Sequence, residues 1–372
     1  MSSNAATPLQ RLSGLGQSVW VDFLSRESIR GGHLQQLIDE FSVVGATSNP
    51  TIFQKAMSEG DAYDEQLNEL AAAGADTGES FWTLAKQDIQ DACDLFHPVW
   101  EATGRRDGYV SLEVDPRLAY ETLQTFREAI SLHESVDRPN LLVKIPATKP
   151  GLAAIEDVIA KGRSINVTLI FSLARYAEVA ESYTRGIERL IAEGGDPSAV
   201  ASVASFFVSR IDTETDRRLD ELDPVPAQLK GKLASANARL AYRHYLQAFS
   251  GPRWEYLAGK GATPQRVLWA STSTKNPAYP DTMYVEELIG PETVDTMPEE
   301  TIEAYQDHGE PRVRLQSGLE EAERLLHELE RLGVDYEDIT DTLEREGVEK
   351  FSDSFDQLLE ALAAKRKSLA LA

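Results

Sequence analysis

Lys144 lies in the run NLLVKIPAT, residues 140 to 148, with apolar residues on both sides. A buried ammonium without a partner costs several kcal/mol, so such a lysine either gives up its proton or pairs with a carboxylate. Both outcomes bear on chemistry, because a desolvated neutral amine adds to a ketone and forms a Schiff base. The plainer alternative is a strand-end lysine that packs its stem and sends its head to water. Other polar residues in comparable places bear on the choice: Asp22, Asn49, Glu113, Asn166, Thr168, Ser205, Arg210, Ser273 and Lys275.

Each of these residues lies at or near the end of a short apolar run. The runs are VWVDFL (19–24), VVGATSNP (43–50), YVSLEV (109–114), LLVKIPAT (141–148), INVTLIFS (165–172), VASVASFFVSR (200–210) and RVLWASTS (266–273). A weaker eighth is TVDTM (293–297). Between them lie helical faces at three- to four-residue spacing, such as Phe81, Ala85, Ile89, Ala92, Phe96 and Trp100, or Tyr176, Val179, Tyr183, Ile187 and Leu190. Strands alternating with helices predict a parallel sheet. Eight such units predict a closed (β/α)8 TIM barrel, in which the C-terminal strand ends carry the chemistry. A doubly wound open sheet also binds ligands at carboxyl ends, but only near one switch point. Polar ends on seven strands favour a ring.

The segments TSNPTIF, SLEVDPR, LVKIPAT, INVTLIFS, SFFVSRID and WASTSTKNP, in this order from the second strand to the seventh, resemble the transaldolase family. The resemblance covers nearly the whole chain, and its specificity comes from the agreement of all the motifs in order and position. It implies a (β/α)8 barrel and transfer of a three-carbon dihydroxyacetone unit between sugar phosphates through a lysine Schiff base.

Residue by residue, the resemblance places the Schiff-base lysine on Lys144, the acid/base glutamate on Glu113 and the first-strand aspartate on Asp22. It places the asparagines that hold the dihydroxyacetone hydroxyls on Asn49 and Asn166. Thr168 matches the threonine that helps the glutamate hold a catalytic water, Ser205 a serine lining the sugar site, and Arg210 a phosphate-binding arginine. After the seventh strand many members have serine, an aromatic, arginine and asparagine; this chain reads Ser273, Thr274, Lys275, Asn276. A lysine holds phosphate as a point charge and loses the bidentate geometry, so Lys275 is the departure at the second phosphate cation. Phe206 replaces a common proline. These roles match what aldol cleavage through an imine requires: an amine, a proton shuttle, a base for the cleaved hydroxyl, and amides that bind hydroxyls.

Each assignment has a structural alternative. Asp22 serves equally as a cap or turn residue before a helix beginning near Ser28. Glu113 and Lys144 can form a strand-end ion pair without catalysis. Asn49-Pro50 is a common turn opener, and Arg210 can pair with Asp212 at a helix start.

The remaining features bound the function. The six histidines show no ligand spacing, so no metal is predicted, and the sequence has no GxxxxGK(S/T) or strand-linked GxGxxG, so no nucleotide cofactor is predicted. The single Cys93 excludes an intramolecular disulfide and fits a reducing compartment. Lys and Arg number 37 against 61 Asp and Glu, a net charge of −24 that disfavours nucleic acid and anionic membranes. It also repels sugar phosphates at long range, so local cations such as Arg210 and Lys275 must reverse the potential at the site. No apolar segment has the length of a signal peptide or a membrane span, and a cytoplasmic protein is predicted.

At 372 residues the chain exceeds the roughly 250 of a typical barrel. The excess is assigned to residues 54–107, 213–262 and 300–372 within one domain spanning 1–372. The last segment, with stripes at Leu319, Ala322, Leu326 and Leu329 and at Phe355, Leu358, Leu359 and Leu362, is read as C-terminal helices packed on the barrel. They either cross the barrel mouth or support a subunit contact, and homo-oligomer formation stays open. The resemblance implies a transaldolase of the non-oxidative pentose phosphate pathway, acting on small sugar phosphates. The alternatives are an enzyme like fructose 6-phosphate aldolase, which releases dihydroxyacetone, and a non-catalytic barrel that binds sugar phosphates.

Overall fold

The structure is a computed structural model that describes residues 6–369. Eight parallel strands close a barrel in sequence order. They are β1 (Gln17–Val21), β2 (Val43–Ala46), β3 (Tyr109–Glu113), β4 (Leu141–Pro146), β5 (Ile165–Ile170), β6 (Ser202–Phe207), β7 (Arg266–Ala270) and β8 (Thr293–Met297). All are buried along their length except at Val44. Burial on both faces explains why the sequence shows continuous apolar runs and no clean alternation. The weak run TVDTM is the closing strand, in register with β1 from Gln17–Thr293 to Val21–Met297.

The runs read from sequence extend past the strands at their C-terminal ends. β2 stops at Ala46 and β7 at Ala270, so Asn49 and Ser273 stand on the loops that follow. Two residues on this side adopt left-handed backbone without being glycine: Leu169, φ 59°, and Ser271, φ 59°. Leu169 lies in a register shift between Val167 and Ile170 of β5. Such conformations cost about 1–3 kcal/mol each and persist where the surroundings enforce them, often at sites.

The helical faces read from sequence fall on the helices Thr77–Ala102 and Leu173–Ala192. The first C-terminal stripe is the helix Leu319–Arg331, followed by Gly333 at φ 80°. The second belongs to a helix of 34 residues, Tyr336–Leu369, much longer than the stripe that announced it. This terminal helix packs on the helix Pro50–Ser58, on the helix Ser209–Asp220 and on the end of β5, and so crosses the barrel mouth. Gly347 stands at the crossing: a Cβ there would lie 3.0 Å from Leu169 Cδ2, a tight approach that glycine avoids. Phe351, Phe355, Leu358 and Leu362 join the same apolar cluster as the barrel strands.

Candidate active site

Lys144 and Glu113 are lateral neighbours, because β3 and β4 pair in the register Glu113 to Lys144. The next strand continues the row, with Lys144 opposite Asn166. Neighbours at one level of a parallel ladder point to the same face, which brings an amine, a carboxylate and an amide together. Lys144 and Glu113 are both 5% exposed. The Lys144 Nζ lies 3.8 Å from Glu113 Oε2, an ion-pair distance, and donates to the Ser48 carbonyl at 3.1 Å.

Among the described residues, neither carboxylate oxygen of Glu113 has a hydrogen-bond partner, and neither does Thr168 Oγ1. Burial pushes the Glu113 carboxyl up to about 7; Lys144 pulls against this and Asp22 adds to it. A carboxyl poised there exchanges a proton in either direction at neutral pH.

Three consecutive residues after β2 organise the centre. Thr47 Oγ1 donates to Asp22 Oδ1 at 2.6 Å and meets Thr296 Oγ1 at 2.7 Å. Ser48 supplies the carbonyl that holds Lys144 and donates its own hydroxyl to the Ser111 carbonyl at 2.7 Å. Asn49 caps the helix Pro50–Ser58 by accepting from Ile52 N at 3.0 Å. That cap uses the amide oxygen and leaves the Nδ2 donor. Burial raises the pKa of Asp22, while Lys144, Thr47, Arg210 and Lys275 oppose the rise in that order. Asp22 is partly exposed to the cavity, and water there weakens the effect of burial.

Asn166 is fully buried and held at both ends, donating to Ser111 Oγ at 3.1 Å and accepting from Ser205 Oγ at 2.6 Å. The Lys275 Nζ donates to Ser273 Oγ at 2.6 Å. Arg210 lies in the first turn of the helix Ser209–Asp220, its guanidinium 5.1 Å from the Phe207 ring centroid. The same helix carries Asp216, which accepts from Tyr279 Oη at 2.5 Å, four residues beyond Lys275. That contact ties the loop after β7 to the helix bearing Arg210.

A cavity of about 270 Å³ opens over this group. Asp22, Asn49, Lys144, Ser205, Arg210, Ser273 and Lys275 all line it. Glu113, Asn166 and Thr168 do not; they stand in the barrel wall beside Lys144 or on the strand next to it. Several structural alternatives are settled by the contacts. The helix Arg26–Arg30 is capped by Ser25 and not by Asp22. Asp212 accepts from Ala234 N and Tyr284 Oη and forms no ion pair with Arg210. For Asn49 the turn role is present, since it caps a helix, and the residue still lines the cavity.

Sequence reasoning missed Thr47, Ser48, Ser111 and Lys350. Thr47 and Ser48 directly precede Asn49, and Ser111 lies two residues before Glu113 on the same strand face, so period-two reading of SLE could have found it. Lys350, on the terminal helix, also lines the cavity and had no local signal. Cys93 is fully buried, and burial pushes its thiol up, as fits an inert packed residue. Among the described residues no cluster of His, Cys, Asp and Glu is arranged to hold a metal, and no helix is long and apolar enough to cross a membrane.

Residues 19–362 match the Transaldolase/Fructose-6-phosphate aldolase family. A transaldolase of Parafrankia sp. (strain EAN1pec) is 54% identical over 365 residues, covering 98% of this chain and 99% of that protein. The transaldolase of Acidothermus cellulolyticus is 52% identical, covering 95% and 96% of the two chains, and that of Mycobacterium marinum is 52% identical, covering 97% and 98%. With a barrel whose strand ends set an amine, a carboxylate and a group of cations around one cavity and a second carboxylate in the wall beside the amine, this chain belongs to the transaldolase/fructose-6-phosphate aldolase family.

Proposed function

We propose that the protein is a transaldolase, a transferase that moves a dihydroxyacetone unit from sedoheptulose 7-phosphate or fructose 6-phosphate to an aldose phosphate through a Schiff base on Lys144. The observation that carries this reading is the placement of the Lys144 Nζ. It lies 3.8 Å from Glu113, is held by the Ser48 carbonyl, and shares a cavity with Asp22 and unpaired cations.

In the proposed cycle the neutral amine of Lys144 adds to the ketose carbonyl, and the carbinolamine loses water with a proton supplied by Glu113 through a water held with Thr168. The iminium then serves as electron sink. Asp22 takes the C4 hydroxyl proton, the C3–C4 bond breaks, and an aldose phosphate leaves while the three-carbon enamine stays bound. An acceptor such as erythrose 4-phosphate or glyceraldehyde 3-phosphate reacts by the reverse steps, and hydrolysis frees Lys144. Since the iminium supplies the sink, the cycle calls on no metal or cofactor. Asn49, Asn166 and Ser205 are assigned to the donor hydroxyls, and Arg210, Ser273 and Lys275 to the phosphate.

Relatives named transaldolase favour transfer over simple release of dihydroxyacetone. The same reading puts the protein in the cytoplasm and in the non-oxidative pentose phosphate pathway, with small sugar phosphates as its partners; the lone, buried Cys93 is compatible with a reducing compartment. Borohydride with fructose 6-phosphate is expected to fix a reduced three-carbon adduct on Lys144, and Lys144→Ala to lose both adduct and turnover. An adduct on another lysine would overturn the assignment, and no adduct at all would favour a non-catalytic binding barrel. Release of free dihydroxyacetone at the full rate without an acceptor would favour the aldolase reading.

A further inference from the structure

The terminal helix Tyr336–Leu369 brings Lys350 to the wall of the cavity that Lys144 and Asp22 line, beside Arg210 and Lys275. Other cations of these elements are ion-paired. Arg217 and Arg218 bridge Glu214 on the helix that carries Arg210, and Lys365, further along the terminal helix, pairs with Asp64. By contrast, Arg210, Lys275 and Lys350 form no ion pair among the described residues, in a chain with 61 acidic and 37 basic side chains. Glu346, one turn before Lys350, acts on Arg210 through space without pairing with it.

Like charges gathered on one cavity repel. Arg210 first, then burial, then Lys275 make Lys350 hold its proton less firmly than an ordinary lysine. Such a cluster is unfavourable alone and favourable around a dianion, whose field reverses the sign of each interaction. The helix is also seated closely enough for a short reach, since Gly347 lets its backbone approach Leu169 one turn before Lys350.

We propose that Lys350 is a third cation of the phosphate site, contributed by the terminal helix, and that the phosphate of a bound sugar in turn holds that helix over the barrel mouth. The inference deepens the proposed function and rests on a sugar phosphate being the substrate. It assigns the terminal helix a part in specificity: a phosphorylated donor engages all three cations, whereas an unphosphorylated ketose leaves their mutual repulsion uncompensated.

The test compares Lys350→Met, Lys350→Arg and the parent protein, with fructose 6-phosphate and fructose as donors and inorganic phosphate as competitive inhibitor. Lys350→Met is expected to raise the KM for fructose 6-phosphate and the inhibition constant of phosphate about tenfold, while kcat and the reaction with fructose hold. Lys350→Arg should recover most of the loss, because it restores the charge. Hydrogen exchange along residues 336–369 should slow when phosphate is added to the parent protein and respond much less in Lys350→Met. Lys350 is exposed, so the variants should fold, and thermal unfolding checks this. Unchanged phosphate inhibition in Lys350→Met, or equal losses with fructose and fructose 6-phosphate, would overturn the inference. A parent protein that turns over neither donor, yet loses phosphate affinity on Lys350→Met, would instead sink the proposed function and leave the cation site standing.

Discussion

The two ends of the barrel treat buried charge in opposite ways. At the N-terminal end, Arg266 of β7 donates to Asp107 Oδ1 at 2.7 Å, to the Arg106 carbonyl at 2.8 Å and to Ser18 Oγ at 2.9 Å. Asp107 also accepts from Ser18 at 2.8 Å and from Trp20 Nε1 at 3.3 Å. At the C-terminal end, Glu113 has no hydrogen-bond partner among the described residues for either oxygen, and Lys144 meets it only at ion-pair distance. A charge pair saturated by its neighbours locks a structure, whereas one left short of partners is open to a substrate. The left-handed Leu169 and Ser271 stand at the mouth as well, beside the charges left short of partners.

The largest effects should come from the mouth. Glu113→Gln removes the proposed proton shuttle and Asp22→Asn the proposed base, and each should cost about a hundred- to ten-thousandfold in turnover. The losses should fall on different steps, imine formation for Glu113 and carbon-carbon cleavage for Asp22, as read by rapid quench. If both variants form the imine at the parent rate, the role proposed for Glu113 is wrong.

Next in size is the floor. Arg266→Ala strands Asp107 as a buried charge and should cost about 3–5 kcal/mol of stability in urea unfolding. The turnover of the folded fraction should hold, because no floor residue lines the cavity. Loss of kcat without loss of stability would mean that the two ends are not separate in function.

Titration sharpens the contrast. Glu113 moves from its ordinary 4.5 to about 7 on folding, chiefly through burial. Below pH 4.5 the carboxyl is protonated in both folded and unfolded chains. Between 4.5 and 7 the unfolded chain releases the proton while the folded one keeps it, so the contribution of Glu113 to stability is lost as pH rises through this window. The full shift corresponds to at most about 3 kcal/mol. Asp212, Asp295 and Glu128 are also pushed up to about 7, so the bare pH profile mixes several groups. Subtracting the profile of Glu113→Gln isolates one. The stability of the parent relative to this variant should fall between about pH 4.5 and pH 7, and a flat difference would mean that Glu113 is ionised throughout this window in the folded protein.

The fold and most of the cavity were legible because both follow from local rules. Burial on both faces wrote each strand as an apolar run, and most of the polar residues that end those runs line the cavity or stand in its wall beside Lys144. Lys144 and Glu113 could be singled out because a charge inside such a run has few structural explanations. What escaped depends on long-range placement. Thr47 and Ser48 act through a backbone carbonyl and a hydroxyl, which no charge or periodicity marks. Lys350 is one charged residue among many on a helix read only for its apolar stripe, and its site is made by a crossing between segments some 140 residues apart. The eighth strand was legible only as a weak run, because what fixes it is its long-range register with β1.

The smallest predicted effects lie at the rim, where the mouth is most like ordinary surface. Arg210 is half-buried against Phe207 and offers a forked donor, whereas Lys275 is exposed, offers one compact charge, and already spends a hydrogen bond on Ser273. Losing a charge-assisted hydrogen bond costs about 1.5–3 kcal/mol, or roughly ten- to a hundredfold in binding. Arg210→Ala should therefore raise the KM for fructose 6-phosphate by that factor, and Lys275→Ala by less, because water screens the exposed charge and replaces its contact. Neither variant should shift the reaction with unphosphorylated fructose to the same degree, since that donor lacks the group being held. Steady-state kinetics with the two donors distinguish the cases. Equal losses with both donors would place Arg210 and Lys275 with the saturated, structural charges of the floor and remove the rim from the functional half of the comparison.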